Sequence, residues 1–425
     1  MRVLLTGASG FIGQHLTSTL RHSGHAVVCA GRFPGAGQGV QCDSFADVDF
    51  TRDTDVAAWL PKLQGIDGVI NAVGILREHD SQTFAALHIQ APCALFDACV
   101  IAGIRRVINV SALGADENAR SGYHISKRRA DQHLASLPLS WTIVQPSLVF
   151  GTGGQSARLF TTLASLPLIP LPGAGAQRVQ PIHIDDVTAG IAALLVSDDA
   201  LHKTIPFVGP CALTLRDFLA RLRTAMSLPP ARFLPVPLAL VRTAAHFGEH
   251  AQRSLLDVEI LEMLLRGNVG DPAGVESVLG RRVRPPDQFI PAAQAAAVRT
   301  TARLSWSLPV LRWSVALVWI VTGIVSLGLF PTQASYQLLL RVGTPMWLAP
   351  FFLYGAAAFD LALGLATLVM RRRRALWVAQ AALILVYTVI ISIRMPEFWL
   401  HPYGPLLKNL PMLAAIMVLY SLEER

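Results

Sequence analysis

The sequence is poor in cysteine and, over its last third, poor in charge. Its 425 residues include five cysteines: Cys29, Cys42, Cys93, Cys99 and Cys211. Their number is odd and no two form a C-x-x-C pair, which argues against a metal site and against a disulfide framework. We therefore expect no metal centre, and five reduced thiols in a cytosolic domain. A basic, apolar leader is also lacking ahead of the first predicted strand at Arg2, so we expect no signal peptide.

Charged residues make up only 15% of the chain, whereas 52% of the residues are hydrophobic. Charges are frequent up to about Arg303 and sparse beyond it, apart from four arginines at 371–374. This asymmetry excludes an ordinary soluble protein and indicates a soluble N-terminal part joined to a membrane part. The net charge of +8 is compatible with a nucleic-acid partner. Because the arginine clusters lie beside apolar spans, a membrane explains them better, and we expect no nucleic acid.

The stretch Thr-Gly-Ala-Ser-Gly-Phe-Ile-Gly at 6–13 stands between a short apolar strand and an apolar-periodic helix. Glycines at this spacing permit a tight turn, a close approach of phosphate and close packing of helix on strand. A helix N-terminus offers free N–H groups to a pyrophosphate. Glycines also occur in such turns for purely structural reasons, but the position directly after a strand favours dinucleotide binding. The predicted phosphate-binding residues are Gly7, Ser9, Gly10, Phe11, Ile12 and Gly13.

The adenosine end of the cofactor is predicted from the next strand ends. Arg32 follows the second strand, where an arginine suits the 2′-phosphate of NADP and an acidic residue would suit NAD. We therefore expect NADP(H) to be preferred over NAD(H); the alternative is a solvated loop arginine. Asp49 and Phe50 follow the third strand, where Asp49 is predicted to meet the adenine or to cap a helix. Ala72 ends the fourth strand, and its small side chain leaves room for the cofactor.

A catalytic group is predicted from Tyr123 and Lys127, which lie four residues apart and so on one face of a helix. A lysine charge beside a tyrosine favours the phenolate, so we expect the pKa of Tyr123 to be lowered. Such a tyrosine can exchange a proton with the substrate while hydride moves. Ser111 ends the preceding strand and is predicted to assist. Y-x-x-x-K by itself is usually only a helix face, and its place after the glycine turn strengthens the prediction.

Together these motifs resemble the short-chain dehydrogenase/reductase superfamily. The matching segments are 6–13, 71–74, Ser111, Tyr123 with Lys127, 145–151 and 180–187. The resemblance implies an α/β fold, a doubly wound Rossmann parallel sheet with a small substrate lobe. It also implies that Tyr123 and Lys127 contact the cofactor ribose and that Pro146, in the segment 145–151, lines the nicotinamide. Within the superfamily the chain is similar to the atypical, extended group that includes the NADPH-binding accessory subunit of respiratory complex I.

Four apolar spans are predicted in the remainder, at 313–330, 346–370, 375–393 and 405–422. The tail resembles the DoxX-like family of four-helix membrane modules, through the segments 360–364, 396–402 and 404–409. We expect a Rossmann domain over 1–300, its lobe within about 151–300, and an all-α four-helix transmembrane bundle over 306–425. Asp360 lies near mid-membrane, where a carboxylate is costly, so we expect it to be paired or functional rather than merely tolerated.

These observations predict a membrane-anchored NADP(H)-dependent oxidoreductase that transfers hydride to a carbonyl or a quinone-like acceptor. Two alternatives stay open: a non-catalytic NADPH-binding structural or assembly protein of a respiratory complex, and an epimerase with a tightly bound cofactor. The expected partners are a lipid bilayer, a quinone or another lipid-soluble substrate, and a respiratory complex. By the positive-inside rule we expect a multi-pass protein of the inner (cytoplasmic) membrane with both termini in the cytoplasm.

Overall fold

The computed structural model describes residues 1–32, 41–249 and 258–423. The chain divides into two compact units, Met1–Ala302 and Arg303–Arg425. The strands are β1 (Arg2–Thr6), β2 (Ala26–Gly31), β3 (Ser44–Asp47), β4 (Gly68–Asn71), β5 (Arg106–Val110), β6 (Trp141–Pro146), β7 (Val149–Phe150), β8 (Ile169–Pro172), β9 (Arg178–Val179), β10 (Ile182–His183), β11 (Lys203–Phe207), β12 (Leu213–Thr214) and β13 (Phe233–Val236).

The helices of the first unit are α1 (Phe11–His22), α2 (Val56–Trp59), α3 (Ala91–Ile101), α4 (Gly122–Ser136), α5 (Gln155–Ser165), α6 (Ile184–Leu194), α7 (Leu215–Ala225), α8 (Leu238–Glu249), α9 (Val258–Arg266) and α10 (Ala273–Leu279). Further along the chain lie α11 (Ala295–Ile324), α12 (Thr332–Val342), α13 (Ala349–Val369), α14 (Arg374–Arg394) and α15 (Asn409–Leu422). A π-helical turn, Ala85–Gln90, leads directly into α3.

The centre of the first unit is a seven-stranded parallel sheet in the order β3-β2-β1-β4-β5-β6-β11. Its central strands, β1, β4 and β5, are buried on both faces, as the unbroken apolar run of β1 requires. Leu4 belongs to the core on one face, and Val3 and Leu5 belong to the core on the other. The strand order reverses between β1 and β4, and ligands of such sheets bind at the carboxyl ends beside that point. The predicted doubly wound fold is confirmed.

A small lobe follows the sheet, with its own core between α5, α7 and the parallel pair β8 and β13. Phe218 is fully buried at its centre, and the Phe150 and Phe160 rings meet it edge-on, with centroids 6.4 and 5.4 Å away. Aromatic pairs of this geometry add to the stabilisation that comes from burial alone. The lobe therefore has a packed interior of its own rather than being a loose extension of the sheet.

The second unit is helical. Within the residues that the structure describes, three helical segments are long and apolar enough to cross a membrane: Ala292–Leu329, which begins before the unit boundary, Ala349–Val369 and Arg374–Arg394. The fourth expected span differs, because α15 has 14 residues and so reaches only about 21 Å of a hydrocarbon core of about 30 Å. The residues at 405–408 form turns rather than a first helical turn. Gly364 lets α13 approach α11 closely, since a Cβ there would lie 2.6 Å from the Ile320 side chain.

The expectation of five reduced cysteines was wrong. Cys29 and Cys42 form a disulfide with Cα atoms 6.0 Å apart. Because β2 pairs with β3, the chain that enters β3 passes beside the buried Cys29, and this pairing brings together two cysteines that are 13 residues apart. Cys93, Cys99 and Cys211 are free thiols. Burial raises the pKa of the Cys99 thiol, so this group stays protonated and inert.

Candidate active site

The glycine turn joins β1 to α1 at the point where the strand order reverses. Gly7 has a φ of +72°, a conformation that disfavours other residues. A Cβ on Gly13 would lie 2.0 Å from the Gly7 carbonyl oxygen, whereas one on Gly10 would meet only that oxygen, at 3.2 Å. Gly10 is exposed at the N-cap of α1, and no described side chain caps that helix. The turn therefore offers free N–H groups and space for a phosphate.

The other predicted residues of this turn differ in how far they are exposed. Ser9 is exposed, and Phe11 and Ile12 are half-buried. The Phe11 ring packs beside the turn at Gly154, where a Cβ would come within 2.9 Å of it. Ala72 lies directly opposite the turn, with its carbonyl oxygen 2.6 Å from where a Gly7 Cβ would stand. The loops after β1 and β4 thus touch, as expected for two sides of a cofactor crevice.

At the adenosine end, Arg32 is exposed after β2, and Asp49 is half-buried after β3. Burial works against ionisation of Asp49, but hydrogen bonds from Thr51 and the charges of Arg32 and Arg52 hold its pKa below the ordinary value. The Asp49 Oδ1 atom accepts from the Thr51 N–H at 3.0 Å, so part of the carboxylate stabilises a turn. The Phe50 ring packs edge-on against Trp59 in the core, which leaves only its backbone to face a nucleotide.

A chain of buried hydrogen bonds crosses the sheet beneath this crevice. Thr6, Asn71 and Asn109 stand in register on three neighbouring strands. Thr6 Oγ1 donates to Asn71 Oδ1 at 2.7 Å, and Asn71 Nδ2 donates to Asn109 Oδ1 at 2.8 Å. Asn109 Nδ2 then donates to Asp131 on α4 at 2.8 Å, and Ser111 Oγ donates to the other Asp131 oxygen at 2.5 Å. The phosphate turn and Ser111 are therefore linked by side chains that are all buried.

One row of α4 carries Tyr123, Lys127 and Asp131, each four residues after the last. Lys127 Nζ donates to the carbonyl oxygens of Val73 at 2.8 Å and Val110 at 3.1 Å. Burial lowers the pKa of Lys127, and the Asp131 carboxylate opposes that shift. Burial likewise raises the pKa of Asp131, against hydrogen bonds and the charge of Lys127. The lysine ammonium thus holds the strand ends that border the predicted ribose site.

The expected lowering of the Tyr123 pKa is contradicted. Burial, followed by the negative charge of Asp131, raises the pKa of Tyr123 to about 12. Lys127 alone would favour the phenolate, whereas the fold adds the Asp131 carboxylate, which opposes it. The half-buried ring of Tyr123 stands edge-on to those of Phe84 and His88, with centroids 6.3 and 5.6 Å away. At neutral pH the residue is a phenol, which suits a proton donor rather than a base.

His88 is the buried residue that fixes this corner of the site. Its Nε2 atom accepts from the Ile75 N–H at 3.0 Å, so Nδ1 carries the proton and donates to Ser126 Oγ at 2.8 Å. Ser126 in turn donates to the Tyr123 carbonyl oxygen. Burial and the charge of Lys127 lower the pKa of His88 to about 2. The imidazole is therefore neutral, and it joins the loop after β4 to the helix that carries Tyr123.

We expect His88→Gln to make the folded domain less sensitive to acid. The unfolded chain protonates His88 below pH 6.5 and the folded protein does not, so stability is complete above that pH and is lost as the pH falls toward about 2. At pH 5 the free energy of unfolding of the wild type should be about 2 kcal/mol lower because of this group. Glutamine preserves one acceptor and one donor without titrating. Thermal unfolding of the wild type and the variant, each at pH 7.5 and pH 5, checks this prediction. An equal loss of stability at pH 5 in both proteins would contradict it.

The segment after α9 ties the lobe to the loop that precedes Tyr123. Arg266 donates to both carboxylate oxygens of Asp116, each at 2.6 Å, and to the Gly114 carbonyl oxygen at 2.9 Å. Asn268 Oδ1 accepts from the Leu148 N–H at 3.1 Å, in the segment that follows the buried Pro146. These contacts hold in place two loops that flank the end of β6, which is where a substrate would be held against the cofactor.

The structure brings most predicted residues to one edge of the sheet, but several participants were missed. Asn71 and Asn109 end buried strands, which was a usable signal. Asp131 continues the four-residue spacing of Tyr123 and Lys127, and that spacing was available in the sequence. No feature of the sequence pointed to His88, because a lone histidine in an apolar helix does not reveal which groups contact it.

The parallel sheet, the glycine turn at its switch point and the tyrosine–lysine row on α4 define a dinucleotide-binding domain of the short-chain dehydrogenase/reductase class. Residues 3–208 match the NAD dependent epimerase/dehydratase family. Residues 316–417 match the DoxX-like family. The predicted combination of these two families in one chain is thereby confirmed.

Several proteins are similar to the first unit. The mouse protein NADH dehydrogenase [ubiquinone] 1 alpha subcomplex subunit 9, mitochondrial, is 27% identical over 251 residues, which are 55% of this chain and 63% of that protein. A ceramide reductase from Caulobacter vibrioides is 29% identical over 197 residues, 45% of this chain and 60% of that protein. The matched segments thus span about three fifths of these relatives.

Solved structures show the same fold at low identity. A nucleoside-diphosphate-sugar epimerase from Staphylococcus aureus superposes with a TM-score of 0.56 and 17% identity, over 68% of this chain and 99% of that one. An NADPH-dependent quinone oxidoreductase from Escherichia coli, complexed with NADPH, gives a TM-score of 0.54 and 18% identity, over 68% and 98%. At these identities the likeness establishes the fold and not the activity.

Proposed function

We propose that this protein is a membrane-anchored, NADP(H)-dependent reductase whose acceptor is a lipid-soluble carbonyl or quinone. The observation that carries the proposal is the state of Tyr123, a phenol with a pKa raised to about 12 at the cofactor edge of the sheet. When bound, the nicotinamide supplies the hydride. A group that keeps its proton at neutral pH is then suited to give that proton to the oxygen that accepts the hydride.

The side chains of this unit have separate tasks in the proposed reaction. Tyr123 Oη donates a proton to the substrate oxygen. Lys127 holds the loop after β4 and the end of β5 through their carbonyl groups, and its charge opposes that of Asp131. Ser111 donates its hydroxyl hydrogen to Asp131, so its oxygen is left to accept a hydrogen bond. We therefore assign Ser111 to orienting the substrate or the Tyr123 hydroxyl rather than to supplying a proton.

The residues present fit a dinucleotide at its phosphates. Gly10 is exposed, and a Cβ there would fill the space over the uncapped start of α1. The residues that would hold the nucleotide are Gly7, Ser9, Gly10, Phe11, Ile12, Gly13, Arg32, Asp49, the Phe50 backbone, Ala72, Tyr123, Lys127 and Pro146.

Two lines of support favour a lipid-soluble acceptor. The described part of the chain includes three helical segments that are long and apolar enough to span a bilayer. A ceramide reductase is among its relatives, and a quinone oxidoreductase shares its fold. We place the first unit and the four arginines at 371–374 on the cytoplasmic side of the inner membrane, where NADPH is available. If α15 does not cross, the C-terminus lies on the opposite side.

A second candidate is a structural subunit that retains NADPH without turnover, favoured by the similarity to the complex I subunit. One experiment separates the two. The full chain in proteoliposomes, freed of added nucleotide, is assayed for bound NADP(H) and then for NADPH oxidation with a long-chain ketone, a ceramide precursor ketone and a quinone. The reductase proposal expects acceptor-dependent oxidation. Retained nucleotide with no oxidation by any acceptor would establish the structural subunit instead, and a tightly retained NAD(H) would point to the epimerase.

We expect Arg32→Asp to weaken NADPH binding by about 10- to 100-fold, because a charge-assisted hydrogen bond contributes about 1.5–3 kcal/mol. NADH, which lacks the 2′-phosphate, should bind almost unchanged. Arg52→Asp is the matched control, since this exposed arginine also acts on Asp49 but is not assigned to the phosphate. Fluorescence titration of both nucleotides checks this prediction. Equal losses of NADPH affinity in the two variants would show that both arginines act only through their general positive charge.

A further inference from the structure

The lobe of the first unit exposes a group of apolar side chains on one face. The β8–β13 pair is parallel, with Pro170 opposite Leu234, and both residues are exposed, whereas Ile169 and Leu171, which flank Pro170, are buried. Leu238, at the start of α8, extends this surface beside Gly173. We call it the lobe face; it consists of Leu168, Pro170, Leu234 and Leu238. The three leucines are 37–47% exposed.

The exposure does not arise from unfinished packing of α8. Val241 and Ala245 on its inner side are buried in a small cluster with Leu261 of α9. Leu238, which is 37% exposed, lies outside that cluster. The helix is therefore already packed against the protein on one side, and the lobe face is what remains outside. A contiguous apolar patch of this kind marks an interaction surface.

The chain segments that form the lobe face carry arginines and no acidic residue. Residues 226–245 contain Arg232 and Arg242 and no acidic residue, and residues 166–177 contain no charge. Arg232 is exposed, and Arg242 forms a solvent-exposed ion pair with Glu262 at 3.2 Å. Leucines with arginines beside them suit a bilayer interface, where apolar side chains enter the acyl boundary and cations meet anionic headgroups.

The backbone of this surface disfavours a protein partner that adds a strand. Pro170, Pro172 and Pro235 lie within the two strands and lack N–H groups, so these strands offer few donors to an incoming chain. The apolar helical segments of the same chain would also hold the lobe close to a bilayer, which raises the effective concentration of lipid at this face.

We propose that the lobe face docks on the surface of an anionic bilayer. The inference rests on the membrane anchoring in the proposed function and goes beyond it, because a tether alone does not require the nucleotide-binding unit to touch lipid. Docking would present the unit to substrates that partition into the membrane.

The test places one fluorescent label at a time in the full chain. In a Cys211→Ser background, which removes the exposed native thiol, Leu234→Cys is labelled with NBD and the protein is reconstituted in vesicles containing about one third phosphatidylglycerol. Lipids with a nitroxide near the headgroup serve as quenchers. Val196→Cys, at a 67% exposed apolar residue outside the lobe face, is the negative control, and Leu365→Cys on α13 reports on membrane insertion.

We expect quenching at position 234 to exceed that at position 196 several-fold, and to fall when Arg232→Gln is added or phosphatidylcholine replaces the anionic lipid. Quenching at 365 but not at 234 would overturn docking and leave the membrane anchor intact. Absence of quenching at both positions would overturn the anchor and docking together. A blue-shifted label at 234 that persists in detergent and escapes lipid quenching would mean that a second copy of the chain covers the face, which also overturns the proposal.

Discussion

Tyr123→Phe should lower the rate of NADPH-dependent carbonyl reduction by about 10²- to 10⁴-fold, the usual contribution of a positioned acid. Phenylalanine preserves the ring that packs near Phe84 and His88, so the site should retain its shape. NADPH affinity should therefore stay within about twofold, since the phenol acts on the reacting oxygen. Single-turnover rates and nucleotide titrations of the full chain in proteoliposomes measure the two quantities separately.

Ser111→Ala is the matched comparison for this variant. Its hydroxyl hydrogen is already donated to Asp131, so loss of the Ser111 hydroxyl should lower the rate much less than loss of the Tyr123 hydroxyl.

The size of the Tyr123→Phe effect also depends on the acceptor, because hydride transfer to a quinone needs less proton donation than reduction of a ketone. An unchanged rate with every acceptor would remove Tyr123 from the mechanism.

The pH profile gives an independent check on the same residue. Reduction requires the protonated phenol, and because the pKa of Tyr123 is raised to about 12, the rate should hold well into the alkaline range. Asp131→Asn removes the negative charge that, after burial, raises this pKa. A lower pKa means that the proton is lost at lower pH, so the alkaline decline of the variant should move downward. A profile that does not move would show that Asp131 has no electrostatic effect on the donor.

Gly13→Ala and Gly10→Ala should both weaken nucleotide binding, but for different reasons. A Cβ on Gly13 would lie 2.0 Å from the Gly7 carbonyl oxygen and 2.7 Å from the Ala8 Cα atom. The backbone must move to relieve these contacts, so the protein without nucleotide should lose about 1–3 kcal/mol or more. A Cβ on Gly10 meets only one oxygen, at 3.2 Å, and its φ of −76° suits alanine.

We therefore expect Gly10→Ala to melt like the wild type when nucleotide is absent and to bind NADPH at least about tenfold more weakly, a loss of about 1.4 kcal/mol. Gly13→Ala should melt several degrees lower even without nucleotide. Thermal shift with and without NADPH measures both effects. If Gly10→Ala binds as tightly as the wild type, the turn does not hold phosphate, whereas the reading of Gly13 as a packing glycine would stand.

The chain by itself determined the class of fold and the general position of the site. An apolar strand, three glycines at 7, 10 and 13 and a periodic helix specify the start of a Rossmann sheet, because each of these is a local property. The same holds for Tyr123 and Lys127, whose spacing puts them on one helix face. Long apolar runs indicated the membrane segments, since a span is defined by length and composition alone.

Only the tertiary structure decided the chemistry of these residues. The pKa of Tyr123 depends on its burial and on Asp131, and Asp131 is oriented by Asn109, which lies on a strand 22 residues away in sequence. The Cys29–Cys42 disulfide follows from the pairing of β2 with β3, and the shortness of α15 follows from turns at 405–408. A pattern along the chain shows which side chains share a face. It does not show which groups from other elements pack against that face, and those groups set charge, burial and hydrogen bonding.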